Sequence, residues 1–218
     1  TDNLSVPEIA DPTKHFNTVL YTGNNGSNQS VTGVNFSPDF LWIKPRDYVD
    51  NHGLIDSVRG GNYNLWSNST SAEQDNTGGN DAVTLDSDGF TVNQYSNSWN
   101  RNGYLFVGWN WKAAAANTSV SAGSIDGTNP TLACTRRTNT TAGFSIVSWE
   151  GTGSDGTVAH GLSKAPELII NKSRGDDYNW AVQSILWNSA SDTNMLYLNT
   201  NAAQADDTNV FQAAPTST

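Results

Sequence analysis

The chain of 218 residues has one cysteine, Cys134, so no intrachain disulfide can form. Stability has to come from packing, or from subunits and repeats burying one another. Charge is equally thin. Charged residues are 15% of the chain, and 11 Lys and Arg stand against 21 Asp and Glu for a net charge of −10. A surface of that sign repels phosphate, which argues against a nucleic-acid partner unless a local basic patch offsets it. Only Arg136-Arg137 resembles such a patch, and two adjacent arginines read as a solvated turn. No apolar run approaches the ~20 residues of a membrane helix, so membrane insertion is not expected. No secretory apolar region is visible. Methionine occurs once, and Leu, Glu and Lys are sparse, which leaves little material for long helices. The start Thr1-Asp2-Asn3 carries no initiator Met, as expected of a processed or partial polypeptide.

What the chain has in quantity is Asn, Ser, Thr and Gly, with β-branched and aromatic residues spread evenly between them. Short strands separated by tight turns are the natural outcome. Sequons such as those at Asn68 and Asn139 arise by chance in this composition and carry no weight.

Self-similarity gives the strongest pattern. Phe16-Asn17-Thr18-Val19-Leu20-Tyr21-Thr22-Gly23 aligns with Phe144-Ser145-Ile146-Val147-Ser148-Trp149-Glu150-Gly151, an offset of 128 (144 − 16). The same offset superposes Gly33 on Gly161, Pro38 on Pro166, Lys44 on Lys172, Arg46 on Arg174 and Asn51 on Asn179. A short insertion then shifts the register, and Leu65-Trp66-Ser67-Asn68 matches Leu196-Tyr197-Leu198-Asn199. In each copy a proline precedes the most apolar run, where a missing N–H is tolerated at a strand start. Phe40 to Lys44 and Leu168 to Lys172 are therefore predicted to be central strands. Asp86-Ser87-Asp88-Gly89 is a turn that feeds the strand Phe90-Thr91-Val92. In Tyr104 to Trp111, residues Leu105, Val107, Trp109 and Trp111 share one face.

The organisation that follows is an arm over residues 1–15, a first β-sandwich repeat over 16–114, a connector over 115–143, and a second repeat over 144–218. The second repeat ends close to the equivalent of Asp86, so it lacks counterparts of the last two strands. Unpaired edges are an aggregation hazard. Either the polypeptide continues, or a neighbouring subunit or the arm supplies the missing strand by β-augmentation.

Several motifs carry a family resemblance. They include Trp42-Ile43-Lys44-x-Arg46, Asn51-His52, Asp56-Ser57-Val58-Arg59-Gly60, Leu65, Asn68, Asp86-Ser87-Asp88-Gly89-Phe90 and Trp109-x-Trp111-Lys112-Ala113. Thr141-Ala142-Gly143-Phe144-Ser145-Ile146-Val147, Gly151-Thr152-Gly153 and His160-Gly161-Leu162-x-Lys164-Ala165-Pro166 continue the series. Over residues 16 to about 200 the chain resembles an uncharacterised β-rich domain, often found in tandem, of tail-fibre and other virion proteins of tailed phages, especially marine ones. The resemblance implies an all-β fold of two concanavalin-like or jelly-roll sandwich repeats, mainly antiparallel, the second incomplete. It also implies a place in the virion, with no catalytic residues. The chain departs from the pattern at Asn171, where other copies tend to carry an apolar residue.

The candidate chemistry is sparse. His15, His52 and His160 have no spacing suited to a metal site, which needs three or four ligands, so no metal or cofactor is expected. Glu150 and Glu167 could be a glycosidase pair, but their counterparts in the first copy are Thr22 and Asp39, and they read as solvated strand ends. Asp86-x-Asp88-Gly89 opens like a calcium loop without the later ligands, so a plain turn explains it. The remaining candidates are two loops, each following a Lys-x-Arg pair. Lys44, Arg46, Tyr48, Asn51 and His52 form one, and Lys172, Arg174, Tyr178, Asn179 and Trp180 form the other. Aromatic faces with amides suit sugar or protein recognition. The competing reading has the basic side chains lying over core aromatics and bracing the sheet edge, and recurrence in both copies favours it.

The expected function is that of a non-enzymatic structural component of a phage particle, such as a tail fibre, appendage or capsid-decorating protein. It would assemble with itself or with other virion proteins. The alternatives are a glycan-binding host-attachment module and an extracellular bacterial adhesin or filament subunit.

Overall fold

A computed structural model of the chain describes residues 9–26, 28–79, 82–93, 98–124, 129–187 and 193–217. Residues 1–8 of the expected arm lie outside that set. The part of the arm that is described forms a short 3-10 turn, Pro12–Lys14, capped by the Asp11 side chain. It ends on His15, whose carbonyl accepts a bond from Lys112 N–H and whose Nδ1 lies 2.9 Å from Asn139 Nδ2.

The first half contributes β1 (Phe16–Thr22), β2 (Gln29–Thr32), β3 (Phe40–Pro45), β4 (Gly53–Asp56), β5 (Tyr63–Trp66), β6 (Gln74–Asp75), β7 (Val83–Asp86), β8 (Gly89–Val92) and β9 (Leu105–Trp111). They make two layers, a six-stranded sheet in the order β1-β9-β3-β4-β5-β6 and a three-stranded sheet in the order β2-β8-β7. The last long strand, β9, returns to the middle of the larger sheet. Its Trp111 end lies opposite both Phe16 and Phe40, and its Phe106 end opposite Tyr21 and Pro45.

Strand alternation decides what each face buries. Val19, Leu41, Ile43, Ile55 and Phe106 point inward and meet Val31, Val83, Phe90 and Val92 of the smaller sheet, with Val34, Phe36 and Trp99 from the loops. Gly108 lies on the inward face of β9 because Phe90 needs the space. A Cβ there would stand 3.1 Å from the Phe90 ring. The opposite, outer face is also apolar and carries Phe40, Trp42, Leu54, Leu65, Trp109 and Trp111.

The second half adds β10 (Thr118–Val120), β11 (Cys134–Asn139), β12 (Phe144–Trp149), β13 (Leu168–Asn171), β14 (Ala181–Ser184), β15 (Asn194–Tyr197) and β16 (Ala205–Asp206). They form one sheet ordered β10-β11-β12 and another ordered β13-β14-β15-β16. All strand pairs among the described residues are antiparallel, and the fold is all-β. The segment read as a connector thus supplies two strands, because β11 makes a hairpin with β12.

The strands of the two halves start at matched positions. β12, β13 and β14 begin 128 residues after β1, β3 and β4, while β15 and β16 begin 131 residues after β5 and β6. The order β13-β14-β15-β16 reproduces β3-β4-β5-β6. One expectation needs correction. β3 is central, but β13 is an edge strand, with Leu168 and Ile170 55% and 44% exposed. The physical reason is that no counterpart of β9 lies beside it among the described residues.

The second half folds back onto the outer face of the large sheet. Trp180 is buried against Leu54 and Leu65, beside Phe40 and Trp42, and its Nε1–H donates to the Trp66 carbonyl at 2.8 Å. Phe144 packs against Phe40 and Trp111 with ring centroids 6.0 and 6.1 Å apart. A buried carboxylate marks the same seam. Asp39 accepts bonds from Ser57 Oγ, Ala113 N–H and Arg137 Nη1, and Lys112 Nζ lies 3.2 Å away.

The β7–β8 hairpin gives a direct test of the turn chemistry. Gly89 has φ +140° and sits where a Cβ would collide with the Val31 carbonyl. Replacing Gly89 with Ala should therefore destabilise the fold by about 2–4 kcal/mol, combining left-handed strain with a clash at a strand pair. Urea unfolding monitored by tryptophan fluorescence would measure the loss, and a loss under about 0.5 kcal/mol would contradict this hairpin geometry.

Candidate functional site

The two loops singled out by sequence close in the same way, and the closure occupies their amides. Asn68 Oδ1 accepts from His52 N–H at 2.9 Å, while Asn68 Nδ2 donates to Asn51 Oδ1 at 3.1 Å. In the second half Asn199 Oδ1 accepts from Trp180 N–H at 2.9 Å, and Asn199 Nδ2 donates to Asn179 Oδ1 at 2.8 Å. The backbone follows suit, with Ser67 N–H donating to His52 O and Leu198 N–H to Trp180 O, each at 3.0 Å. Both lysines turn back on the next carbonyl, Lys44 Nζ to Pro45 O and Lys172 Nζ to Ser173 O. Lys172 also reaches Asp176 O; burial lowers its pKa despite the opposing fields of Asp177 and Asp176. These amides and lysines clasp turns.

The remaining candidates scatter. Arg46 is exposed, and its backbone N–H donates to Leu105 O. Tyr48 turns inward, its ring 4.6 Å from Tyr104 and 5.9 Å from Phe106, with the Arg101 guanidinium 5.1 Å above it. Burial, reinforced by Asp50, pushes its phenol far above the usual range. Tyr178 projects into solvent. Trp180 is buried in the seam between the halves, away from any rim. The structure therefore does not bring the two loops together as one site.

Arg174 has a definite partner. Its Nε lies 3.1 and 3.0 Å from the two Glu73 oxygens, and its Nη2 donates to Glu73 Oε1 at 2.6 Å. Glu73 Oε2 also accepts from Arg59 Nη1 at 2.9 Å, and Arg59 Nε reaches Asp56 Oδ2 at 2.5 Å. Glu73 N–H donates to the Arg174 carbonyl, and Arg174 Nη1 to Ser148 Oγ. This chain of charges fastens the second half to β4 and β6. Burial raises the Glu73 pKa, but the hydrogen bonds and charges of Arg174 and Arg59 outweigh it and hold the carboxyl below its ordinary value.

A different surface collects functional groups. Trp42, Lys44, His52, Trp109 and Trp111 line an open groove of about 400 Å³ on the outer face of the six-stranded sheet. Trp42 and Trp109 are directly cross-strand, with rings 5.9 Å apart and tilted by 67°. Trp111 is braced by Phe16 at 4.8 Å and Phe40 at 5.3 Å. Burial lowers the pKa of His52, helped by Lys44 and opposed by Asp50. Of the ten predicted site residues, Lys44 and His52 belong here. The three tryptophans were missed as a site, although the shared face of Leu105, Val107, Trp109 and Trp111 was the signal for it.

No group of three or more His, Cys, Asp and Glu suited to a metal occurs among the described residues. Asp88 accepts backbone bonds from Gly33 and Asn35, and His160 accepts one from Leu162. Glu150 and Glu167 are exposed strand-flanking residues.

Residues 11–218 match a family described as a domain of unknown function, DUF7483. The chain belongs to that family. No curated protein matches the chain. No solved structure matches it either. The groove and the Glu73 cluster are thus features of a DUF7483 domain read from its own geometry.

The Glu73 cluster predicts a pH-dependent stability difference. Because the folded-state pKa of Glu73 is lowered, its contribution is present above the unfolded carboxyl value near 4.5 and is lost as pH falls through the folded value. Glu73→Gln should lower stability by about 1–3 kcal/mol at pH 7, and the gap to the unsubstituted protein should narrow at pH 3. Denaturant melts at the two pH values decide it; a gap unchanged by pH would contradict the ionised cluster.

Proposed function

We propose that the chain is a non-enzymatic structural module of a bacteriophage virion, a tail fibre, appendage or capsid-surface component that works by subunit assembly. The observation that carries the reading is the free edge of β13. Its only paired neighbour among the described residues is β14, whereas β3 in the same place of the first half is paired on both sides. Leu168 and Ile170 on that edge strand are substantially exposed, and Leu186 nearby in sequence is 74% exposed. An unpaired strand with apolar side chains is a template for another chain, and proteins that stay monomeric usually blunt such edges with charge or proline.

The matched strand positions and the repeated asparagine clasp support a tandem duplication in which, among the described residues, no counterpart of β9 lies between β12 and β13. The partner in this reading is a second copy, its β13 paired antiparallel with the first across a two-fold axis and extending the four-stranded sheet. The virion setting rests on the motif resemblance.

The chain should therefore self-associate in light scattering at about 100 µM, a concentration suited to edge-strand contacts of modest area. Ile170→Lys should render it monomeric with its thermal stability intact, because the lysine sits on an exposed edge. A monomeric unsubstituted protein, or a variant of unchanged size, would overturn the reading.

A further inference from the structure

The outer-face groove is independent of the β13 edge and belongs to the other half of the molecule. Among the described residues its lining consists of three tryptophans, one lysine and one histidine. Indole faces make flat, rigid, electron-rich plates. Such plates complement the C–H faces of a pyranose ring, and polar groups at the margin meet its hydroxyls.

The polar margin is in place. Lys44 Nζ is anchored by one bond to Pro45 O at 3.0 Å, which leaves two of its three N–H groups for a ligand. The His52 ring has no hydrogen-bond partner among the described contacts, and its backbone is held by Asn68. Burial and the neighbouring Lys44 favour the neutral imidazole, which offers one donor and one acceptor. The plates are pre-positioned, since Trp109 and Trp111 stand two residues apart on one face of a central strand and Trp42 faces Trp109 from the next strand. Rigid aromatic groups on a sheet lose little freedom on binding.

Charge narrows the ligand. With a net charge of −10, the molecule repels polyanions at long range, and Lys44 is the one cation in the groove lining among the described residues. From these observations we infer that the groove is a saccharide-binding platform for neutral oligosaccharides. Trp42, Trp109 and Trp111 stack on the sugar rings, and Lys44 and His52 pair with hydroxyls. If the module sits on a virion, the platform would face host-surface glycan.

The test is titration calorimetry with indole fluorescence, using cellohexaose, maltohexaose and N-acetylchitohexaose as probes on the full chain. At least one probe should bind saturably and perturb the fluorescence. Trp109→Ala should weaken binding about tenfold, the scale of one lost stacking partner. Lys44→Gln, which leaves the aromatic plates and the fold in place, should weaken it several-fold. Tyr178→Ala, an exposed aromatic outside the groove, should leave it unchanged. No saturable binding by any probe would overturn the proposal. So would affinity that survives both groove substitutions in folded protein, or affinity that falls equally with Tyr178→Ala. The monomeric Ile170→Lys protein should bind the same probe, which separates failure of the platform from failure of the assembly reading.

Discussion

The six-stranded sheet is apolar on both faces, and the rest of the molecule is arranged around covering them. A sheet with two apolar faces needs a layer on each side. The inner face receives the β2-β8-β7 sheet and the cluster around Phe90 and Phe106. The outer face receives Trp180 and Phe144 from the second half, which bury Leu54, Leu65, Phe40 and part of Trp111. Between these covered patches lies the groove of Trp42, Trp109 and Trp111. The incomplete cover that joins the halves also leaves the most distinctive open surface.

Polar groups in the seam act as locators. Asp39 is almost fully buried, yet both carboxylate oxygens are satisfied, from Ser57, Ala113, Lys112 and Arg137. An unpaired buried carboxylate would be strongly destabilising, so this constellation holds one docking arrangement in preference to others. The Arg174–Glu73–Arg59–Asp56 chain does the same at the far side of the sheet. Hydrophobic area supplies the attraction between the halves, and these charges fix the register. Together they turn a loosely cored second half, whose own buried cluster is small, into part of a larger packed body.

Much of this was legible in the sequence. The turn-rich composition gave the all-β class, and the 128-residue offset marked the strands β12 and β13. Alternation in Leu105 to Trp111 placed Trp109 and Trp111 together on one face. The errors share one cause. Leu168-Ile169-Ile170 has the composition of a central strand, but whether a strand is central depends on a neighbour distant in the chain, as β9 is for β3. Trp180 stands 128 residues after His52 and so was offered as a rim residue. Its burial depends on the face across the seam, which a local pattern does not encode. Asn51 and Asn179 were offered as recognition groups, but each is held by an asparagine from the turn after the second strand beyond it, Asn68 after β5 and Asn199 after β15.

The second half is folded onto the first as a single body, with Trp180 as the plug between them. Scanning calorimetry of the intact chain and of Trp180→Ala tests that most directly. A single transition, with calorimetric and van't Hoff enthalpies in agreement, is predicted for the intact chain. For Trp180→Ala a loss of about 3–5 kcal/mol is predicted, or separation into two transitions as the second half comes loose. Two independent transitions in the intact chain, neither moved by the substitution, would show that the halves fold apart and would contradict the account.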